Sequence, residues 1–144
     1  MTKEQIFELI RKNPVIYLAT NEGDQPRVRC VFLYSADEHG IIFHTGKMKD
    51  LYKQVEINPK VEMCFYDSEK NIQVRVSGQL DEITDNNFKD EISNHPSREF
   101  LKSWRESGPL EDFYTNFIVY TLKNGSAIWW TIEENFAPKR PINL

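Results

Sequence analysis

Ile6, Leu9 and Ile10 recur at helical spacing behind Thr2 and Gln5, a capping-box pair, and Pro14 stops the run. A short amphipathic N-terminal helix is therefore predicted. From Val15 to Thr20 the composition becomes β-type, Asn21-Glu22-Gly23-Asp24 supplies turn residues, and a second strand is expected from about Arg27 to Tyr34. Asp37-Glu38-His39-Gly40 is the next turn, and Ile41 to Thr45 a third strand, which completes an antiparallel meander. Met48, Leu51, Tyr52 and Val55 then return to helical spacing before Asn58-Pro59. Val61 to Tyr66 and Ile72 to Leu80 form a predicted hairpin, the second strand placing Ile72, Val74, Val76 and Leu80 on one face and Gln73, Arg75, Ser77 and Gln79 on the other.

Asp85 to about Trp104 has two helical stretches broken at His95-Pro96, with Ser97 as the second N-cap and Phe100, Leu101 and Trp104 on an apolar face. Phe117 to Leu122 and Ser126 to Ile132 flank Lys123-Asn124-Gly125, and the Asn-Gly pair signals a hairpin between them. The last dozen residues show no period. Seven short strands with close turns and few helices imply a mainly β fold, a six- to seven-stranded antiparallel barrel with flanking helices. A chain of 144 residues suits one domain.

Composition narrows the function classes. A formal net charge of −4 argues against a general nucleic-acid binder, whose phosphate affinity needs clustered Lys and Arg. No apolar run approaches the roughly 18 residues of a membrane span, and no export signal opens the chain. Cys30 and Cys64 are too few and too far apart for a disulfide framework or a zinc ribbon, so they read as small reduced core residues of a cytoplasmic protein.

The two familiar phosphate loops, G-x-G-x-x-G and G-x-x-x-x-G-K-[ST], are absent, so any phosphate must be held by side chains. His39, His44 and His95 lack metal-ligand spacing, and there is no G-x-S-x-G elbow. What remains is a scatter of polar residues in apolar elements. Arg27 and Arg29 share one face of a strand that becomes apolar at Val31-Phe32-Leu33, and an inward Arg29 calls for an anionic partner. Thr45 ends the next strand, and Lys47 and Lys49 follow at the start of a helix whose free N–H groups attract anions. Taken alone, these cations are more often solvated surface charges, Gln73 a solvent-face residue, and Trp129-Trp130 core and interface packing.

Several segments in one order shift that balance: Gln25-Pro26-Arg27-Val28-Arg29, Gly40-Ile41-Ile42-Phe43-His44-Thr45, Lys49 with Leu51 to Val61, and Gln73 ahead of Ser77-Gly78. Over Pro14 to Leu80 the chain resembles the FMN-binding split barrels of the pyridoxamine 5'-phosphate oxidase-like superfamily, including its small general stress protein 26-like and nitroimidazole-resistance-type members. The resemblance implies that Arg29, Thr45 and Lys49 surround the FMN phosphate, with Lys47 a weaker candidate. It also implies that backbone groups of Cys30, Val31 and His44 line the ribityl chain and ring, and that Gln73 reaches the flavin.

A homodimer with FMN at the subunit interface is the further expectation, with no catalytic side chain assigned and no metal. Past Leu80 the similarity to the vitamin B6 oxidase fades, and Phe136-Ala137-Pro138-Lys139-Arg140 offers no counterpart of its substrate-binding arginine and histidine. The implied function is an FMN-dependent oxidoreductase acting on a small acceptor, nitroaromatic or quinone-like, with NAD(P)H as a candidate donor. The alternatives are a flavin-binding stress protein without turnover, or a haem- or deazaflavin-binding member of the same fold.

Overall fold

Thr2 caps the first helix in the computed structural model, which describes residues 1–144. Its side chain accepts from Gln5 N–H, and Gln5 returns a bond to the Thr2 backbone. That helix, α1 (Lys3–Lys12), leads into the meander β1 (Val15–Glu22), β2 (Gln25–Asp37) and β3 (Gly40–Gly46). Helix α2 (Asp50–Ile57) follows, then the hairpin β4 (Lys60–Asp67) and β5 (Ile72–Ile83). A helical insertion comes next: α3 (Asn86–Ser93), a 3-10 segment (Pro96–Leu101), α4 (Lys102–Arg105) and α5 (Leu110–Asn116). The chain ends in β6 (Phe117–Leu122), β7 (Ser126–Trp130) and the two-residue β8 (Ile142–Asn143).

Hydrogen-bonded neighbours run β4-β1-β2-β3-β6-β5, and β5 closes on β4, giving a six-stranded antiparallel barrel with β7 and β8 added along β5. Alternation along the strands fills the interior. Ile16, Leu18, Phe43, Met63, Phe65, Val74, Val76 and Leu122 are all buried there, and α1 (Ile6, Phe7, Leu9, Ile10) and α2 (Leu51, Val55) join the same core. A second cluster lies outside the barrel. Ile42, Phe117 and Val119 of β3 and β6 pack there against Ile92, Leu101 and Phe113 of the insertion, so the insertion covers this part of the barrel wall.

Several expectations need correction. Lys123-Asn124-Gly125 does not reverse the chain: β6 and β7 both run antiparallel to β5, β6 along Leu80 to Ile83 and β7 along Gln73 to Ser77. Asn124 does take the left-handed conformation of a turn (φ 53), but the turn only steps the chain past Gly78 of β5. Strand β7 stops at Trp130, two residues early, and β8 pairs with it through Ser126↔Asn143 and Ala127↔Ile142 in a tail that has no sequence period. The 3-10 segment is capped by His95, whose Nδ1 accepts from Ser97 N–H, and not by Ser97. Helix α5 lacks a sequence signal because only Phe113 in it is buried. Cys30 is exposed on the outer face of β2 and Cys64 half-buried, so neither is a core residue.

Candidate functional site

On β2 successive side chains face opposite ways, so Arg29 and Leu33 turn toward the interior while Cys30 and Phe32 face outward. His44 of β3 also faces outward, beside the 3-10 segment and α4. Between these elements lies a cavity of about 610 Å³, within the usual range for small-molecule sites. Cys30, Val31 and Phe32 form one wall, His44, Thr45 and Gly46 the floor, Met48 and Lys49 one end, and Phe100, Leu101 and Trp104 the far side. The aromatic wall is braced from behind, Trp104 meeting Phe113 and Phe117 edge-on at 5.3 and 5.9 Å. No Asp or Glu lines the cavity, although the chain as a whole is acidic.

Charge enters from two sides. Lys49 is the N-cap residue of α2 and has no side-chain capping bond, and Thr45, 6% exposed, makes no side-chain hydrogen bond within the chain. Behind His44 stands Arg98, only 6% exposed, whose Nε donates to His44 Nε2 at 2.9 Å and whose Nη2 donates to Leu33 O at 2.6 Å. Burial, then Arg98 and Lys49, depress the His44 imidazole to about 4, so it is neutral at physiological pH.

Five of the eight site residues read from the sequence, Cys30, Val31, His44, Thr45 and Lys49, come together in this cavity. The other three do not line it. Arg29 turns toward β1 and α2, where its Nη1 donates to Thr20 Oγ1 (2.6 Å) and Leu18 O (3.3 Å) and its Nη2 to Gln54 Oε1 (2.5 Å). It nonetheless stays against α2 through that bond to Gln54, five residues beyond Lys49. Lys47 leans over the Tyr52 ring, 5.9 Å from its centre. Gln73 pairs with Trp130 across β5 and β7 and lines a smaller hollow with Arg75, Ile128, Trp129 and Lys139.

The sequence reading passed over Phe32, Gly46, Met48, Phe100, Leu101 and Trp104 as lining residues, and Arg98 behind the floor. Phe100, Leu101 and Trp104 did carry a signal, an apolar helical face, but nothing in the sequence says against which strands that face closes. Arg98 carried none.

An antiparallel six-stranded barrel with a helix after its third strand and a cavity on its outer wall is the FMN-binding split-barrel class. The family model described as pyridoxamine 5'-phosphate oxidase matches residues 2–123, and the chain belongs to that family. A pyridoxine/pyridoxamine 5'-phosphate oxidase of Rubrobacter xylanophilus is 32% identical over 99 residues, covering 67% of this chain and 45% of its own length. The chain thus spans about half the length of the curated relatives it matches.

Among solved structures, a NimC/NimA family protein of Clostridium acetobutylicum is similar with a TM-score of 0.72 and 25% identity, over 98% of this chain and 91% of the other. A pyridoxamine 5'-phosphate oxidase-related, FMN-binding protein of Nostoc punctiforme shares the fold with a TM-score of 0.61 and 16% identity, over 96% and 88%.

Proposed function

We propose that the chain binds FMN in the cavity between β2, β3 and the helical insertion and acts as a flavin-dependent oxidoreductase on a small acceptor. The observation that carries this reading is the cavity's composition: Phe32, Phe100 and Trp104 offer apolar, ring-shaped surface, Lys49 and Thr45 supply a cation and a free hydroxyl, and no carboxylate opposes an anion. A flavin needs both a flat apolar berth and a place for its phosphate. When bound, the flavin supplies the electron transfer; the chain's own residues bind it, orient it and exclude water.

A homodimer with the site at its interface belongs to the same reading. The outer face of β1, β2 and β4 exposes Tyr17 (47%), Val28 (70%), Phe32 (62%) and Tyr66 (45%), a patch that borders the cavity at Phe32. Gln73 stands on this outer face two strands from Tyr17, so its route to a flavin is across the interface, into the second subunit's cavity. Two free thiols suit the reducing cytoplasm, and no helix is long and apolar enough to cross a membrane.

The visible spectrum of the purified chain, followed by titration with FMN, riboflavin, haem and a deazaflavin, tests the cofactor. Flavin bands and tighter binding of FMN than of riboflavin are expected; a haem Soret band, or equal affinity for the two flavins, overturns the phosphate assignment. Turnover with NADH or NADPH and quinone or nitroaromatic acceptors then separates an oxidoreductase from a flavin-storing protein.

A further inference from the structure

Arg98 is buried without a carboxylate, a costly state offset here by hydrogen bonds from all three of its nitrogens to neutral acceptors. Its Nη1 turns to Ser97 O (3.3 Å) and Ser97 Oγ (3.2 Å), its Nη2 to Leu33 O, and its guanidinium carbon lies over the Tyr34 and Phe100 rings at 5.4 and 5.9 Å. The Nε–H faces His44 Nε2 at 2.9 Å.

A guanidinium cannot accept a hydrogen bond, so Nε2 must present its lone pair, and a neutral imidazole in that arrangement carries its proton on Nδ1. The ring cannot easily swivel away from this choice, being flanked by Phe117 at 5.1 Å and Phe100 at 6.1 Å between centres. Nδ1 makes no hydrogen bond within the chain, and His44 forms part of the cavity floor. The charged groups that face His44 are Arg98 from the 3-10 segment and Lys49 from the start of α2, both cations, so nothing nearby favours a second proton.

We propose that Arg98 is a positioning residue that locks His44 as a neutral Nδ1–H donor aimed at a hydrogen-bond-accepting ring atom of the flavin bound in the cavity. The flavin half of this inference rests on the function proposed above; the tautomer half does not. A neutral N–H backed by a buried cation stabilises negative charge at its acceptor without giving up its proton. It therefore favours the reduced, more electron-rich flavin over the oxidised one. A purely structural Arg98, pinning the 3-10 segment to β2 through Leu33 O, predicts no such preference.

The test begins with the flavin-free chain, ¹⁵N-labelled at histidine, with the His44 signals assigned by loss in His44→Gln. Long-range ¹⁵N–¹H spectra are expected to show Nδ1 protonated and Nε2 bare from pH 8 down to pH 5.5. An Nε2–H tautomer in the wild type overturns the lock with no variant needed. In Arg98→Met the Nε2–H form should appear, and the affinity of His44 for a proton should rise at least tenfold; Arg98→Lys should fall between. A folded Arg98→Met with unchanged tautomer and midpoint also overturns it.

FMN is then added. The Nδ1–H resonance should move, and the preference for reduced over oxidised FMN should drop about tenfold in Arg98→Met, some 30 mV for a two-electron couple. FMN that binds the wild type without moving Nδ1–H, or a preference unchanged in the variant, defeats the positioning role while leaving the cofactor assignment standing. Failure of the wild type to bind FMN defeats the cofactor assignment and the flavin half together, with the tautomer result unaffected.

Discussion

Lys49 and Arg29 stand at the same helix in different states. Lys49 occupies the N-cap position of α2 with its ammonium free, whereas Arg29 is already bonded to Leu18, Thr20 and Gln54. A phosphate at the cavity end would meet Lys49 directly but would have to draw Arg29 from three neutral acceptors, an exchange that favours the dianion because charge-assisted bonds are the stronger ones. Such bonds contribute about 1.5–3 kcal/mol, so Lys49→Ala should weaken FMN binding roughly ten- to hundredfold, and Arg29→Ala should do the same if the exchange occurs. Riboflavin, without the phosphate, should lose little. Parallel titrations of both flavins check this, and an unchanged FMN affinity in both variants makes the two residues ordinary cations.

His44 adds a pH dependence at the same scale. Its folded value, about 4, lies below the unfolded value near 6.5, so the unfolded chain binds the extra proton first on acidification. The stability this group contributes is whole above about pH 6.5 and is lost as the pH falls toward 4. Urea midpoints between pH 7 and pH 4.5 should therefore fall less steeply in His44→Gln than in the wild type.

At the scale of elements, what was legible depended on whether neighbours in sequence were neighbours in space. The capping box of α1, the β1 to β3 meander and the β4–β5 hairpin are local, and period and turn chemistry describe them. Asn124-Gly125 misled because its turn serves a distant strand. A Cβ at Gly125 would lie 2.5 Å from Leu122 Cδ2 and 2.6 Å from Val76 Cγ1, both core side chains, so the glycine lets the chain pass close over β5. Overpacking of this kind costs about 1–3 kcal/mol, and Gly125→Ala should lower the urea midpoint accordingly. An unaltered midpoint would mean that Leu122 and Val76 yield without strain.

The cavity was half legible for a related reason. Its residues from β2, β3 and the turn into α2 lie within Pro14 to Leu80, the stretch that carries the family resemblance, whereas Phe100, Leu101 and Trp104 arrive from an insertion about 60 residues downstream, where period shows an apolar face but not the strands it closes on, and Arg98 beside them has no periodic or motif signal at all. Residues that act by tertiary placement alone leave no mark in a single sequence.

At the scale of the whole molecule, the deciding feature is the outer face that ends at the cavity. Tyr17 is opposite Cys30 on one side and Cys64 on the other, and Val28 is opposite Ala19, so β2 and β1 present an apolar surface that runs on to Cys64 and Tyr66 of β4 and is bounded there by Glu62, opposite Ala19. An antiparallel sheet with one wet face would alternate toward polar residues here, as β5 does with Arg75, Ser77 and Gln79. A second copy of the chain, the occupant proposed above, would cover the surface and carry its own Phe32 and cavity edge to the same interface. Val28→Glu tests this without touching the cavity lining, because Val28 is 70% exposed and lines no part of the cavity. A carboxylate buried without a partner costs several kcal/mol, so the variant should sediment as a monomer at micromolar concentration where the wild type is a dimer. FMN affinity should fall with the dimer, since the second subunit then no longer walls the site. A wild type that is monomeric at that concentration, or a monomeric Val28→Glu that holds FMN as tightly as before, would confine the site to a single chain.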